Sequence, residues 1–245
     1  MSDIAFVSAC FGPLDFKEYW KYVYPTVDRY SNKFNCDFKL IKNKLGEKER
    51  SGQWTKIPAL LSYIDQYDWL VWIDADIMIM NHAIDIRDHI DERFDLIITS
   101  FNNSEKYDVN TGFFMLKSCE WSKKFLKKVY YGKNYYTENP TEKFHEQSSM
   151  ELFFEANHPN NNILMREPTL QESTLHKTWP IDFPDMESLM VEPNSGKVQK
   201  FKERKKSMLF HKGDFCVHLI GHDTRGIEGR KRDYELLSNH VLWHE

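Results

Sequence analysis

Asp74 and Asp76 are the side chains best placed by type and spacing to do chemistry. They follow Trp69-Leu70-Val71-Trp72-Ile73, five apolar residues that read as a buried strand. In extended chain, residues i and i+2 point to the same side, so both carboxylates face one point. Ala75 points away and is small, which lets a bulky anion approach. Two carboxylates about 4 Å apart repel by roughly 1 kcal/mol in water and about 4 kcal/mol at an effective dielectric of 20. A divalent cation removes that repulsion, and oxygen ligands select Mg2+, Mn2+ or Ca2+ over softer metals. Helix-capping or turn aspartates are the plainer alternative for a bare Asp-x-Asp. Its position favours the metal, because open α/β sheets bind their ligands at the carboxyl ends of strands.

A cation held by two carboxylates keeps positions open for substrate oxygens. Diphosphate suits them, since the metal neutralises charge on a leaving group. The chain contains no GxxxxGK[ST], which disfavours a P-loop phosphotransferase. The pattern therefore points to nucleotide-diphosphate chemistry in which a metal, not a glycine cradle, holds the phosphates.

The elements that must position this pair are legible in outline. Ile4 to Ala9 and Cys36 to Ile41 read as strands, as do Trp69 to Ile73, Leu96 to Thr99, Gly112 to Leu116 and Phe215 to Ile220. Phe16 to Tyr30 reads as two short helical pieces interrupted by Pro25. Trp54, Ile57, Leu60, Leu61 and Ile64 recur at helical spacing. Further helices are expected over Trp121 to Val129, Gln147 to Phe154 and Asp233 to Trp243. Strands alternating with helices indicate an α/β domain with a mostly parallel central sheet flanked by helices. No linker divides the chain, so residues 1–245 read as one domain. Glu192 to Ser207 is lysine-rich and reads as a solvated loop, with an anionic membrane or acidic partner as the alternative.

Composition sets the bounds. The 245 residues carry 33 Lys and Arg against 37 Asp and Glu, a net charge of -4, which argues against a nucleic-acid binder. Hydrophobic residues at 41% and charged residues at 29% exclude wholesale disorder. Aromatic content is high, 15%; most of it is assigned to the core, with flat sugars and bases as a second use. Cys10, Cys36, Cys119 and Cys216 form no CxxC, so neither a zinc ribbon nor a redox pair is expected. The N-terminus has no basic start and only about seven apolar or small residues, too few for a span of ~20. The expectation is a soluble, cytoplasmic protein without a transmembrane segment.

Five blocks in order carry a family resemblance. They are Trp54-x-Lys56, the Asp68 to Asp76 segment, Asn110-Thr-Gly-Phe-Phe-Met-Leu-Lys, His145-Glu-Gln-Ser-Ser-Met-Glu-Leu-Phe-Phe, and Gly213-Asp-Phe-Cys-Val-His-Leu-Ile-Gly-His. Ser118-Cys-Glu-Trp-Ser-Lys-Lys-Phe-Leu continues the third block. This succession resembles glycosyltransferase family 34, the galactosyl-, mannosyl- and xylosyltransferases with a GT-A fold.

The resemblance implies transfer of a hexose or pentose from a nucleotide diphosphate sugar to a glycan hydroxyl, with retention of configuration and Mn2+ as cofactor (Mg2+ possible). UDP-sugars, UDP-galactose among them, are the first expectation and GDP-mannose the second. Asp74, Asp76 and His218 match the metal ligands; read alone, His218 would be a buried strand histidine. Gln147 matches the residue beside the anomeric carbon, and Glu146 takes a position where the family usually has Asp. Asn110, Thr111 and Gly112 match the segment under the donor sugar, beside Ala75. Phe11 and Gly12, closing the first strand, sit where the nucleoside base is held, with core packing the alternative for Phe11. Lys56 and Arg225 are expected to add positive charge near the diphosphate, a loop arginine being the plainer reading of Arg225. Gly221 and His222 stand where the family has Gly-Cys. An inverting enzyme with Glu146 or Asp108 as base is the enzymatic alternative. A non-catalytic glycan- or nucleotide-binding protein and a metal-dependent nucleotidyltransferase are the others. Eukaryotic members carry a membrane anchor that this chain lacks, which points to a bacterial or virus-encoded context or a trimmed chain.

Overall fold

The computed structural model describes residues 3–11, 16–100, 109–132, 145–157, 162–166, 177–178, 210, 213–219 and 226–243. Its chain forms two compact units, each assembled from three segments: Met1–Phe11, Cys36–Asp74 and Ile90–Glu167 in the first, Gly12–Asn35, Ala75–His89 and Pro168–Glu245 in the second.

The first unit holds a six-stranded sheet. In chain order its strands are β1 (Ile4–Ala9), β2 (Asp37–Ile41), β3 (Trp69–Ile73), β5 (Leu96–Ser100), β6 (Val109–Lys117) and β7 (Ile163–Arg166); β4 (Ile77–Ile79) belongs to the second unit. They lie in the order β2-β1-β3-β6-β5-β7. β6 alone runs against its neighbours, so the expected mostly parallel sheet is present. Three helices pack against it: α3 (Lys56–Tyr63), α4 (Glu120–Tyr131) and α5 (His145–Ala156).

The core between them shows why these strands face as they do. Ala5 and Val7, Leu70 and Trp72, Leu96 and Ile98, and Phe114 and Leu116 alternate with period two into one apolar cluster. That face meets Ile57 and Leu60 of α3, Phe125, Leu126 and Val129 of α4, and Met150, Phe153 and Phe154 of α5. Each fully buried aliphatic or phenyl side chain contributes roughly 1.5–3 kcal/mol. The same alternation carries 70 and 72 on to 74, so Asp74 leaves β3 on the helix-covered face.

The second unit contains α1 (Phe16–Glu18), α2 (Tyr24–Lys33) and α6 (Gly226–Ser238), and a small sheet in the order β4-β9-β8, with β8 (Lys177–Thr178) and β9 (Cys216–His218). Pro25 was expected to interrupt the helix; instead it is the second residue of α2, and helical turns run on from Phe16 to Lys33 with a π-helical turn, Tyr19–Val23, ahead of it. Tyr24 N reaches back five residues to Tyr19 O, which widens the helix just ahead of a proline that cannot donate. The hydroxyl of Thr26 donates to Val23 O at 2.8 Å and accepts from Ile79 N at 3.1 Å, tying that turn to β4.

Boundaries differ where residue pattern and pairing disagree. The last helix is Gly226–Ser238, not Asp233 to Trp243; Leu242 instead bridges to Asn81. Strand β9 is three residues long, shorter than the apolar run around it. β4, β7 and β8 were not expected, being only two to four residues long. All four cysteines are free. Among the described residues, no helix is long and apolar enough to cross a membrane. The lysine-rich Glu192 to Ser207 stretch lies outside the described residues.

Candidate active site

In the first unit, the expected residues from four separate blocks meet around Lys56. This lysine is the first residue of α3 and is 3% exposed. Its Nζ donates to Glu146 Oε1 at 2.6 Å, to Thr111 O at 2.8 Å and to Thr111 Oγ1 at 3.3 Å. Asp74 Oδ1 lies 3.5 Å away. Burial pulls the Lys56 pKa down, but the Asp74 and Glu146 carboxylates push it up by more, so it ends above its ordinary value. The result is a cation shared by two acids that would otherwise repel.

Asp74 is further oriented by Trp72, whose indole N–H donates to Oδ1 at 2.6 Å. Trp72 lies two residues earlier on the same face of β3, so the strand period delivers donor and acceptor together. The backbone of Asp74 donates to Gly112 O at 2.8 Å.

An irregularity in β6 shapes the opposite wall. Ile98 pairs with Phe114, yet the next residue, Thr99, pairs with Asn110. Thr111, Gly112 and Phe113 are passed over in that register, a local excursion of the kind that re-aims side chains near active sites. Asn110 Oδ1 then accepts from Gly112 N at 2.8 Å.

Helix α5 supplies two neighbours with different surroundings. Its buried face runs Glu146, Ser149, Met150, Phe153 and Phe154, at spacings of three and four. Glu146 lies on that face and is 4% exposed, whereas Gln147, about 100° further round, is half-buried. Gln147 Oε1 accepts from Thr111 N at 3.4 Å, and its Nε2 donates to Glu151 Oε1 at 3.2 Å. Glu151, one helical turn on, was not anticipated; its i+4 spacing was the available signal. Trp72 and the Ser51–His145 contact, with Ser51 Oγ 3.0 Å from His145 Nδ1, were also missed. Phe11, two residues beyond the end of β1, lies beside Gly52, where an added Cβ would stand 3.0 Å from the Phe11 ring.

The second unit brings Asp76 and His218 together. β4 and β9 pair antiparallel with Ile77 opposite His218, and Leu219 N donates to Asp76 O at 3.0 Å. This register sets Asp76 Oδ1 3.1 Å from His218 Nε2. Neighbouring donors around a cation with bonds of about 2.1 Å sit about 3 Å apart, so this spacing fits metal ligands. Ala75 alone separates Asp76 from Asp74 in the chain. Gly12, Asp108, Gly221, His222 and Arg225 lie outside the described residues.

A family profile described as "Protein of unknown function, DUF273" matches residues 27–171, more than half of the chain. The chain belongs to DUF273. A segment of this DUF273 chain is also similar to curated plant proteins. It is 30% identical over 84 residues to xyloglucan 6-xylosyltransferase 4 of Arabidopsis thaliana, covering 31% of this chain and 16% of that protein. It is 31% identical over 88 residues to probable xyloglucan 6-xylosyltransferase 1 of Oryza sativa subsp. japonica, covering 33% and 20%. The chain thus spans a fifth or less of the length of these relatives.

Solved structures extend the likeness to the whole fold. A glycosyltransferase involved in glycosylating the major capsid of PBCV-1 superposes with a TM-score of 0.63 at 16% identity, covering 96% of this chain and 99% of that one. The galactosyltransferase LgtC, solved with donor and acceptor sugar analogues, gives 0.51 at 11% identity, with 98% of each chain covered. The DUF273 chain has the GT-A glycosyltransferase fold.

Proposed function

We propose that this chain is a metal-dependent glycosyltransferase, moving a hexose or pentose from a nucleotide diphosphate sugar to a glycan hydroxyl with retention of configuration. Residues 1–245 are taken as its one catalytic domain. The observation that carries the reading is the acid set at the end of β3 within a GT-A fold: Asp74 held by Trp72 and Lys56, and Asp76 held 3.1 Å from His218. The similarity of one segment to proteins named as xylosyltransferases supports sugar transfer as the reaction class.

Asp74, Asp76 and His218 would hold the cation, and two carboxylates with one imidazole fit Mn2+, or Mg2+ with less ease. A bound cation there supplies charge neutralisation for a departing diphosphate. The chain's own groups do the rest. Lys56 donates to Glu146 Oε1 at 2.6 Å and occupies that oxygen, which favours Glu146 as an anchor over a nucleophile or base. Gln147, the more exposed of the two, is assigned the place beside the anomeric carbon. Its carbonyl dipole would stabilise positive charge developing there, and a neutral amide is too weak a nucleophile for a covalent route. The C1–oxygen bond to diphosphate breaks, the acceptor oxygen bonds to C1, and its proton passes to the departing diphosphate oxygen. Asn110 and the backbone of Gly112 are assigned to the donor sugar, and Phe11 and Gly12 to the base. Ala75, Gly221, His222 and Arg225 complete the assigned donor contacts.

A donor panel containing UDP-xylose, UDP-galactose, UDP-glucose and GDP-mannose, incubated with Mn2+, tests the reading. Release of UDP or GDP that EDTA abolishes and Asp74→Asn removes is expected. No release from any donor would sink it. The anomeric proton of the product, read by NMR, decides retention against inversion.

A further inference from the structure

We infer that Ser51 and His145 form a positioning latch that sets Gln147 for the transfer step, an inference that rests on the transferase reading above. Four observations carry it. First, among the described residues only Asn35 and His145 are non-glycines with positive φ, at 50° and 47°. Asn35 needs no further account: asparagine tolerates that region, and it follows α2, with its N–H donating to Asn32 O. His145 stands at the start of a helix, directly before Glu146 and Gln147, in a left-handed conformation that is uncommon for residues other than glycine. Such a conformation persists only where the surroundings over-determine it.

Second, the contact that holds it is specific. His145 Nδ1 lies 3.0 Å from Ser51 Oγ, across 94 residues of sequence. Third, the two strands of chain are pinned twice. Ser51 directly precedes the 3-10 turn Gly52–Thr55, its carbonyl accepting from Trp54 N at 3.2 Å; that turn leads straight into Lys56, and Lys56 in turn binds Glu146 at 2.6 Å. Segment 51–56 and segment 145–146 therefore meet at both ends. With two fixed points, the helical phase at 147 is fixed, and the Gln147 amide is turned toward Thr111 N and Glu151. Fourth, segment 51–56 has little room to slide, because Gly52 is packed so closely on Phe11 that a Cβ would stand 3.0 Å from its ring.

Neither latch residue is assigned contact with substrate; each acts through Gln147. Misplacing a group by about 1 Å can lower a rate by about a hundredfold. Ser51→Ala and His145→Gly are therefore expected to lower kcat by about tenfold or more, with the donor KM changed by no more than about twofold. His145→Gly removes the ring while accepting positive φ freely, so it separates the latch from simple backbone strain. His145→Asn places a polar atom where imidazole carries Nδ1 and also tolerates the left-handed region, so it should restore kcat to within about threefold of wild type. Steady-state kinetics on the donor panel, with melting curves for each variant, reads all of this. Wild-type kcat in both Ser51→Ala and His145→Gly overturns the latch, as does a His145→Asn enzyme no better than His145→Gly. A wild-type protein that releases no nucleoside diphosphate from any donor instead overturns the transferase reading, and the latch with it.

Discussion

Lys56 Nζ lies 2.6 Å from Glu146 Oε1, and both side chains are almost fully buried. Removing one partner of such a pair leaves the other charge in the core, at a cost of about 3–5 kcal/mol. Lys56→Met and Glu146→Gln should each lower unfolding stability. Lys56→Met should be the more damaging, because it strands Glu146 and leaves Asp74 without its cation. The double variant Lys56→Met/Glu146→Gln should lose less than the sum of the two. Denaturant titrations of all four proteins check this; additive losses would show that the pair is not coupled.

The same pair sets an alkaline limit. Burial lowers the Lys56 pKa, and Asp74 and Glu146 raise it by more, leaving it above its ordinary 10.5. A group with a raised folded-state pKa contributes stability that is complete below the unfolded value and lost as pH rises through the folded one. The Lys56 contribution should therefore be constant from neutral pH to about 10 and fall beyond about 10.5. Urea midpoints measured across that range should show the fall in wild type and a smaller one in Lys56→Met.

Trp72 orients Asp74 through a 2.6 Å hydrogen bond from its indole. Partners that orient ligands typically contribute 10–100-fold to metal affinity. Trp72→Phe keeps most of the buried ring and should weaken Mn2+ binding by about tenfold, while Asp76→Asn should nearly abolish it. Free Mn2+ followed by electron paramagnetic resonance during titration measures both. Unchanged affinity in Asp76→Asn would remove it from the ligand set.

Gly46 has φ of +87°, and a Cβ there would stand 2.2 Å from Tyr130 Oη. That hydroxyl also accepts from Glu47 N at 3.0 Å, so it cannot move without releasing the loop. Gly46→Ala should destabilise by more than the ~1 kcal/mol typical of backbone strain alone. Adding Tyr130→Phe should recover only the steric part. Melting curves of the single and double variants separate the two contributions.

Much of the site was legible because short-range periods bring its members together. Trp72 and Asp74 share a side by the strand period, whereas Ala75 and Asp76 form a turn after β3, so the strand period expected to align the two aspartates stops short of Asp76. The helical repeat of Met150, Phe153 and Phe154 places Glu146 inside and Gln147 at the edge. Other features had no local trace. β4 and β9 are three residues each and gain their strand character by pairing with one another. The excursion at Thr111 to Phe113 is visible only against the register of β5. His145 follows Phe144 and opens a polar run to Ser149, and neither neighbour reveals a positive φ.

The amino-acid sequence by itself determined the α/β alternation, the apolar strand that ends in two carboxylates and the order of the motif blocks. The first two follow from spacings of two to four residues, which covalent geometry enforces, and the third is simply the linear order of the chain. Only the tertiary structure decided which acid receives the buried lysine and which histidine meets which carboxylate. Lys56 and Glu146 are 90 residues apart, and Asp76 meets His218 through strand pairing rather than chain proximity. Contacts at that separation depend on which faces of helix and sheet must be buried together. That choice is made by the whole core at once, and no single segment of the chain contains it.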